Sequence, residues 1–390
     1  MPLPPVRVGL LWHSLRSGNL GVVALTLANM QIVREVAQEL GFEPHFTLIG
    51  MRDPASPTEE ASDLQVFDVT SGSLINPRGL WACIRAQDCV IDIGAGDSFA
   101  EIYGAKRFTY LCTSKLMTVM ADKPLLLAPQ TIGPFTSPLY KGLARIALNR
   151  AVSVLARDRQ SLSAAQSICP GGCNGLATDV AFALPYAPWS GAARARPAIG
   201  INVSGLLYRD AQAGVNRFGL DYDYVELTQS LIRKMLDDKG AEVHLIAHVR
   251  SPETPEDDDS TVCDEIARQY PDTIKAPHFA GPSEAKSYMS GLDLVVGARM
   301  HACIGAFSAG VPVIPIAYSR KFDGLFGTLG YGRLVRAQGM GTDEALGYIL
   351  GSFDARAEIK QEIADAASRV DSFLSVYRAE LRKLFGMIGG

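Results

Sequence analysis

Along its first half the chain alternates short, unbroken apolar runs with longer stretches whose apolar residues return every three or four positions. Val6–Trp12, His45–Ile49, Cys89–Ile93, Pro124–Ala128, Val152–Ala156 and Val180–Leu184 are the short runs. They suit strands buried on both faces of a sheet. Between the first two, Leu25, Ala28, Ile32, Val36 and Leu40 form a stripe spaced for one face of a helix. Strands and helices in alternation predict βαβ units, hence a parallel sheet covered by helices on both faces.

The pattern breaks after Leu184. The segment Ser190-Gly-Ala-Ala-Arg-Ala-Arg-Pro197 is small, basic and aperiodic, which reads as a linker. Alternation then resumes: strand Ile199–Val203, helix Tyr222–Lys239, strand Val243–Ala247, helix Thr261–Tyr270, strand Leu292–Val296, helix His301–Ala309, strand Val311–Ile316. The predicted fold class is α/β, with two doubly wound Rossmann-like domains, 1–189 and 198–353, joined by linker 190–197 and facing a cleft. In 354–390, Ile359, Ile363, Ala366, Val370, Phe373, Tyr377, Leu381 and Leu384 predict one long helix that packs across both domains.

Length and composition agree with this picture. With 390 residues, 47% of them hydrophobic and 20% charged, the chain can bury two or three domain cores and is neither disordered nor fibrous. No apolar run reaches the length of a membrane span, and the start, Met-Pro-Leu-Pro-Pro-Val-Arg, lacks the layout of a secretion signal. Seven cysteines without such a signal predict reduced thiols and a cytoplasmic location. A formal charge of −4 argues against nucleic acid as a partner, while leaving room for a local cationic pocket.

In open parallel sheets ligands lie beyond the carboxyl ends of the strands, so the loops there carry the candidate chemistry. Ser14-Leu-Arg-Ser-Gly-Asn-Leu-Gly21 allows a tight turn and offers amides at a helix start; its plainer reading is a βα turn capped by Ser17 or Asn19. Asp92-Ile-Gly-Ala-Gly-Asp-Ser-Phe99 lets backbone approach a ligand, with Asp97 and Ser98 as base, hydroxyl acceptor or helix cap. Gln130-Thr-Ile-Gly-Pro-Phe135 presents Gln130 either to a ligand hydroxyl or to the loop's own backbone.

The sharpest signal is Gly297-Ala-Arg-Met-His301, which places a planar cation and a titratable ring at the mouth of a strand and the start of a helix. Tyr318-Ser-Arg-Lys321, after the next strand, adds Arg320 and Lys321 to an anion clamp. His248 ends another strand, and the acidic run Glu256–Asp259 beyond it reads as the charged, capped start of a helix rather than a metal site. Cys169-Pro-Gly-Gly-Cys173 has no matching second half and reads as two loop thiols.

Taken in order, these elements resemble the polysaccharide pyruvyl transferase family. They are Gly-Asn-Leu-Gly with Ala24-Leu25, Gly-Ala-Gly-Asp-Ser-Phe, Ala128–Phe135, Ala156-Arg-Asp-Arg-Gln-Ser161, Thr178-Asp179 and Ile199–Ser204, then His248, Gly297–His301, Gly310–Ile314, Tyr318 and Lys321. The resemblance implies a GT-B-like fold, phosphoenolpyruvate as donor and a pair of sugar hydroxyls as acceptor. A pyruvate ketal and phosphate would be the products, with no cofactor and no metal. Carried onto this chain, it makes Arg299 a donor-binding residue and His301 the general acid. Two positions depart from it: Val22 stands where many members have Asp, and Ala95 where many have Gly. Both lie in the first domain, the expected acceptor side.

Ketal formation needs a proton at the methylene carbon of the enol phosphate, which suits an imidazole, and a bound anionic donor favours the protonated ring. Arg299 with Arg320 or Lys321 would hold the phosphate and carboxylate; Asp97 is the expected base for the sugar hydroxyl; His248, Gln130, Asn19 and Ser98 complete the expected binding set. The acceptor is a sugar, a glycan or a lipid-linked saccharide, the last bringing the protein to the inner face of the membrane. The competing readings are a GT-B glycosyltransferase using a nucleotide sugar and a non-catalytic, ligand-binding relative.

Overall fold

The computed structural model describes residues 3–51, 64–172, 174–191 and 194–388. Cys173 and positions 192–193 of the expected linker lie outside the described residues. By mutual contact the chain divides into two units. The first comprises Met1–Ser17, Leu25–Ala183 and Val370–Gly390; the second comprises Gly18–Ala24 and Leu184–Arg369.

The first unit carries strands β1 (Pro5–Leu11), β2 (Glu43–Gly50), β3 (Leu64–Asp68), β4 (Cys89–Asp92), β5 (Leu125–Gln130), β6 (Ser153–Ala156) and β7 (Asn174–Leu176) in one parallel sheet, ordered β3-β2-β1-β4-β5-β6-β7. The order reverses between β1 and β4, so the loops after these strands open at the switch point. β4 is buried throughout and β1 from Val8 onward, as expected of central strands in a parallel sheet covered on both faces. The helix Leu20–Glu39 is long and apolar enough to cross a membrane by length and composition, but 67% of that stretch is buried in the protein. Leu25, Ala28, Ile32, Val33 and Val36 are its buried stripe.

The second unit repeats the plan with β8 (Ala198–Asn202), β9 (Glu242–Ile246), β10 (Ile274–Lys275), β11 (Leu294–Gly297), β12 (Val313–Ala317) and β13 (Val335–Arg336), ordered β10-β9-β8-β11-β12-β13 and parallel throughout. Two doubly wound α/β sheets are thus present, as the alternation predicted. The C-terminal residues form one helix, Arg356–Ile388. Its part up to Arg369 belongs to the second unit and the rest to the first.

Val180–Leu184 is not a strand. It forms a single turn of 3-10 helix, Val180–Ala183, because the Asp179 carboxylate takes the Ala181 amide (3.0 Å) and bends the chain. The expected helix Tyr222–Lys239 starts at Tyr224, capped by Asp223, and its last turn, Lys234–Asp238, widens to π geometry.

Candidate functional site

In the second unit the chemistry gathers where β8, β9 and β11 end. Arg299 follows β11 and stands at the N-terminal boundary of the helix Met300–Ser308. Its backbone amide donates to Asn202 Oδ1 at the end of β8 (2.9 Å). Its guanidinium donates from Nη2 to Asp259 Oδ1 (2.6 Å) and Asp257 Oδ1 (2.7 Å), and from Nε to Asp259 (3.1 Å). Burial opposes the guanidinium's charge, but Asp259 and then Asp257 outweigh it and hold its pKa above the ordinary value.

Asp259 is fully buried and collects backbone amides as well: Gly205 (2.8 Å), His248 (3.1 Å) and Val249 (2.9 Å). Burial raises its carboxyl, while Arg299 and these amides pull it back towards the charged form. The acidic run therefore divides its labour. Asp258 caps the helix Asp259–Gln269 through the Thr261 amide (3.0 Å), as the sequence suggests, and Asp259 turns inward to fix Arg299, which it does not.

His248 is buried at the end of β9, its Nδ1 without a hydrogen-bond partner. Burial first, then the charges of His301 and Arg299, push its pKa down to about 3, so the ring is neutral at ordinary pH. His301 is half-buried in the first turn of Met300–Ser308. The glycine loop reaches it: a Cβ on Gly21 would lie 2.3 Å from His301 Nδ1, so any larger residue there would displace the ring. That loop is tied to the same strand end, with Leu20 N donating to His248 O (3.1 Å), Arg250 N to Gly18 O (2.9 Å) and Asn19 bridging Val249. Asn19 Oδ1 accepts the Gly21 amide (2.9 Å). Arg299, His301, His248 and Asn19 are thus brought together. Arg320, exposed, and Lys321, half-buried, begin the helix Arg320–Thr328 after β12.

In the first unit the ends of β4, β5 and β6 hold a different set. Asp92 at the end of β4 pairs with Lys115 (2.9 Å), both side chains 0% exposed, and the ammonium sits 4.2 Å from the centre of the Phe99 ring. Gln130 is buried and its amide donates to Asp92 O (2.9 Å), Asp92 Oδ1 (3.2 Å) and Ala128 O (3.2 Å), so it ties the end of β5 to the end of β4. Arg157, just past β6, pairs with Asp179 (2.9 Å), and the charges of Asp179 and Asp97 outweigh burial to keep its pKa high. Asp97 is half-buried and accepts from Tyr103 Oη (2.8 Å). Ser98 is buried, its amide bonded to Gly94 O (2.8 Å). Ala95 adopts φ +49°, in the left-handed region, between Gly94 and Gly96, which also have positive φ.

Lys115 is the residue that reasoning from sequence passed over, while Arg157, Asp179 and Asp259 lie in stretches it singled out without assigning them these ion pairs. Lys115 had a signal. It continues the stripe Phe108, Leu111, Cys112 at helical spacing, and a lysine on a buried face needs a partner.

Comparison with known proteins bears on the family and the fold. The model of the family described as polysaccharide pyruvyl transferase matches residues 30–320. The chain is 22% identical over 325 residues, 78% of this chain and 74% of the other, to the amylovoran biosynthesis protein AmsJ of Erwinia amylovora. Among solved structures it resembles UDP-GlcNAc 2-epimerase from Neisseria meningitidis bound to UDP-GlcNAc (TM-score 0.55, 10% identity, 95% of this chain and 99% of that one). It also resembles Anabaena Alr3699/HepE in complex with UDP-glucose (TM-score 0.53, 12% identity, 98% of both chains). At these identities the solved structures speak for a GT-B-like fold alone, whereas the family match spans most of the sequence and both sheets. The chain belongs to the polysaccharide pyruvyl transferase family and is a transferase of polysaccharide biosynthesis.

Proposed function

We propose that the donor is phosphoenolpyruvate and that the product is a cyclic pyruvate ketal on two hydroxyls of a saccharide. The observation that carries this reading is His301 in the first turn of a helix, beside the half-buried, permanently charged Arg299 and the neutral ring of His248. Such a setting supplies a proton and a fixed positive potential in one place.

The reaction balances with these groups. His301 delivers a proton to the methylene carbon, and positive charge develops at the carbon bearing the phosphate. A saccharide hydroxyl adds there and loses its proton, with Asp97 assigned as base. The C–O bond to phosphate breaks, the second hydroxyl adds, and its proton leaves with inorganic phosphate. Arg299 has Nε and Nη2 engaged with Asp259 and Asp257. It therefore acts as a fixed positive charge under the donor. Arg320 and Lys321 are assigned the direct contacts to phosphate and carboxylate, helped by the amides opening Met300–Ser308. His248, kept neutral, can donate or accept a hydrogen bond without adding charge. Asn19 shapes the loop against His301, and Gln130 and Ser98 hold the Asp97 loop in form.

The test is phosphate release from phosphoenolpyruvate with a panel of saccharide acceptors. His301→Asn is expected to lose about 100- to 10,000-fold in rate at unchanged melting temperature. Undiminished turnover removes His301 as the acid. In a thermal-shift series, stabilisation by UDP-glucose but not by phosphoenolpyruvate would replace this reading with nucleotide-sugar chemistry.

A further inference from the structure

Charge is distributed very unevenly along the chain. Residues 102–178 contain nine Lys and Arg and only two acidic residues, Asp122 and Asp158; Lys115 and Arg157 are buried and paired with Asp92 and Asp179, which leaves seven cations against two acids in a protein of net −4. The helices Gly104–Met120, Pro138–Arg150 and Arg159–Ile168 within this stretch contain no Asp or Glu. They follow β4, β5 and β6, whose crossovers all step the same way across the sheet, so right-handed connections place all three helices on one face. Phe108 stacked on Tyr140 (ring centres 4.2 Å) joins the first two of them.

The outer side of this layer also exposes large apolar side chains. Ile102 is 62% exposed, Leu139 66% and Ile146 51%. Leu139, Gly142 and Ile146 follow one another along the outer stripe of Pro138–Arg150, and the exposed cations Lys141 and Arg145 flank it. Ile102 is held beside that helix start, since the Glu101 carboxylate accepts the Thr136 and Ser137 amides (2.5 and 3.1 Å). Lys106 is exposed one turn further on.

We propose that this face docks on a lipid bilayer carrying anionic headgroups. A nucleic acid would use the cations but gains nothing from bare isoleucine and leucine on the crest of the helix. A bilayer uses both, with cations attracted to the headgroups and apolar side chains entering the acyl boundary. No basic amphipathic helix is evident in the sequence, because the stripe is only three residues long and its neighbours, Ile102 and Lys106, come from two other elements. The proposal does not depend on the identity of the donor.

The experiment is co-sedimentation of the full chain with phosphatidylcholine vesicles, with and without phosphatidylglycerol, at low and high salt. Binding is expected only with phosphatidylglycerol and should be released by salt. Leu139→Ser with Ile146→Ser should weaken it by about tenfold or more. Lys141→Glu with Arg145→Glu should abolish it. All four side chains are exposed, so melting temperatures should hold and report correct folding. Absence of binding to phosphatidylglycerol vesicles, or binding indifferent to both pairs of substitutions, overturns the proposal. So does tight binding of polyuridylate that is unchanged by Leu139→Ser with Ile146→Ser in a protein that ignores vesicles, which would assign the face to nucleic acid.

Discussion

The two sheets present their carboxyl ends in the same architecture but furnish them differently. In the first unit each buried cation meets a buried carboxylate: Lys115 with Asp92 and Arg157 with Asp179. In the second, one guanidinium faces two carboxylates, and the titratable groups beside it are imidazoles, one of them held neutral. Closed pairs leave a rigid, nearly neutral floor suited to uncharged hydroxyls. The open arrangement leaves proton-carrying rings next to a fixed charge, which suits an anion whose bonding electrons must move. The fold supplies the position in both cases, and the side chains after the strands decide what can be done there.

The two units should differ most in how much stability their ion pairs hold. Removing one partner of a buried pair leaves the other charge unsolvated, at a typical cost of about 3–5 kcal/mol. Lys115→Met leaves Asp92 with little beyond the Gln130 amide, at 3.2 Å from Oδ1. Arg299→Met leaves Asp259 with three backbone amides. Lys115→Met is therefore expected to fall in that full range, and Arg299→Met to cost about 1–3 kcal/mol, the scale of a single unmet charged hydrogen bond. Hydrogen exchange on peptides from each unit, with urea unfolding of the whole, measures both. Equal losses would mean that the amides around Asp259 do not compensate its charge. Lys115→Met with Asp92→Leu should recover most of the loss, because an apolar pair of similar volume needs no solvation.

Next in size is a kinetic effect confined to the second unit. Gly21→Ala puts a methyl group where His301 Nδ1 stands, 2.3 Å away, so the imidazole must move. A displacement of about 1 Å at a reacting group can cost on the order of 100-fold in rate. The variant is expected to fold and to bind donor while transferring slowly. A variant with unimpaired turnover would show that the ring position seen here is not the working one.

How much of this was written in the sequence differs between the two regions. The central strands were legible because burial on both faces makes them unbroken apolar runs. The edge strands were not: Leu64–Asp68 has no fully buried residue, and Ile274–Lys275 is two exposed residues. Val180–Leu184 misled because an apolar run reads alike in a strand and in a buried turn, and only the Asp179 hydrogen bond decides. Gly297–His301 announced itself, since a cation and an imidazole at a strand end have little structural excuse. Asp259 did not, because three aspartates before a helix look like dipole compensation, and Asp258 does serve that end. Gln130 could have faced a ligand or its own loop; its amide nitrogen donates instead to the ends of two strands, at Asp92 and Ala128.

Acid separates the units again: the first buries one histidine with a lowered pKa, His13, and the second buries two, His248 and His244. In the first, His13 Nδ1–H donates to Leu11 O (2.9 Å) and Nε2 accepts from Asn29 (2.7 Å), whose Oδ1 takes the Tyr377 hydroxyl (2.6 Å). Burial pushes its pKa down to about 4, as it pushes His248 to about 3. Both rings are lowered in the folded state, so above the unfolded value near 6.5 neither contributes. As the pH falls below that value the unfolded chain binds protons that the folded one refuses, and stability drops. Each ring should cost about 1.4 kcal/mol per pH unit until its own folded pKa is reached. The loss through His13 should stop near pH 4 and that through His248 near pH 3. Stability curves between pH 7 and pH 4 should lose that slope singly in His13→Asn and His248→Asn, each compared with its own stability at pH 7. A slope unaltered in either variant would mean that the ring is not buried neutral.

The smallest effect tests a place where the sequence departs from its family. Ala95 holds φ +49° between two glycines, and a left-handed residue with a Cβ costs about 1–2 kcal/mol relative to a right-handed one. Glycine removes that strain, but its freer unfolded chain returns about 0.4–1 kcal/mol of it. Ala95→Gly should therefore stabilise the first unit slightly, by about 0.5–1 kcal/mol, read as a small rise in the urea midpoint at constant slope. It should leave phosphate release nearly unchanged, because neighbouring Asp97 is already held by Tyr103. A clear drop in turnover with the gain in stability would show instead that the methyl group stiffens the Asp97 loop for its work. Strain retained at that position would then be a cost the first unit bears for catalysis, and its floor would be less passive than its closed ion pairs suggest.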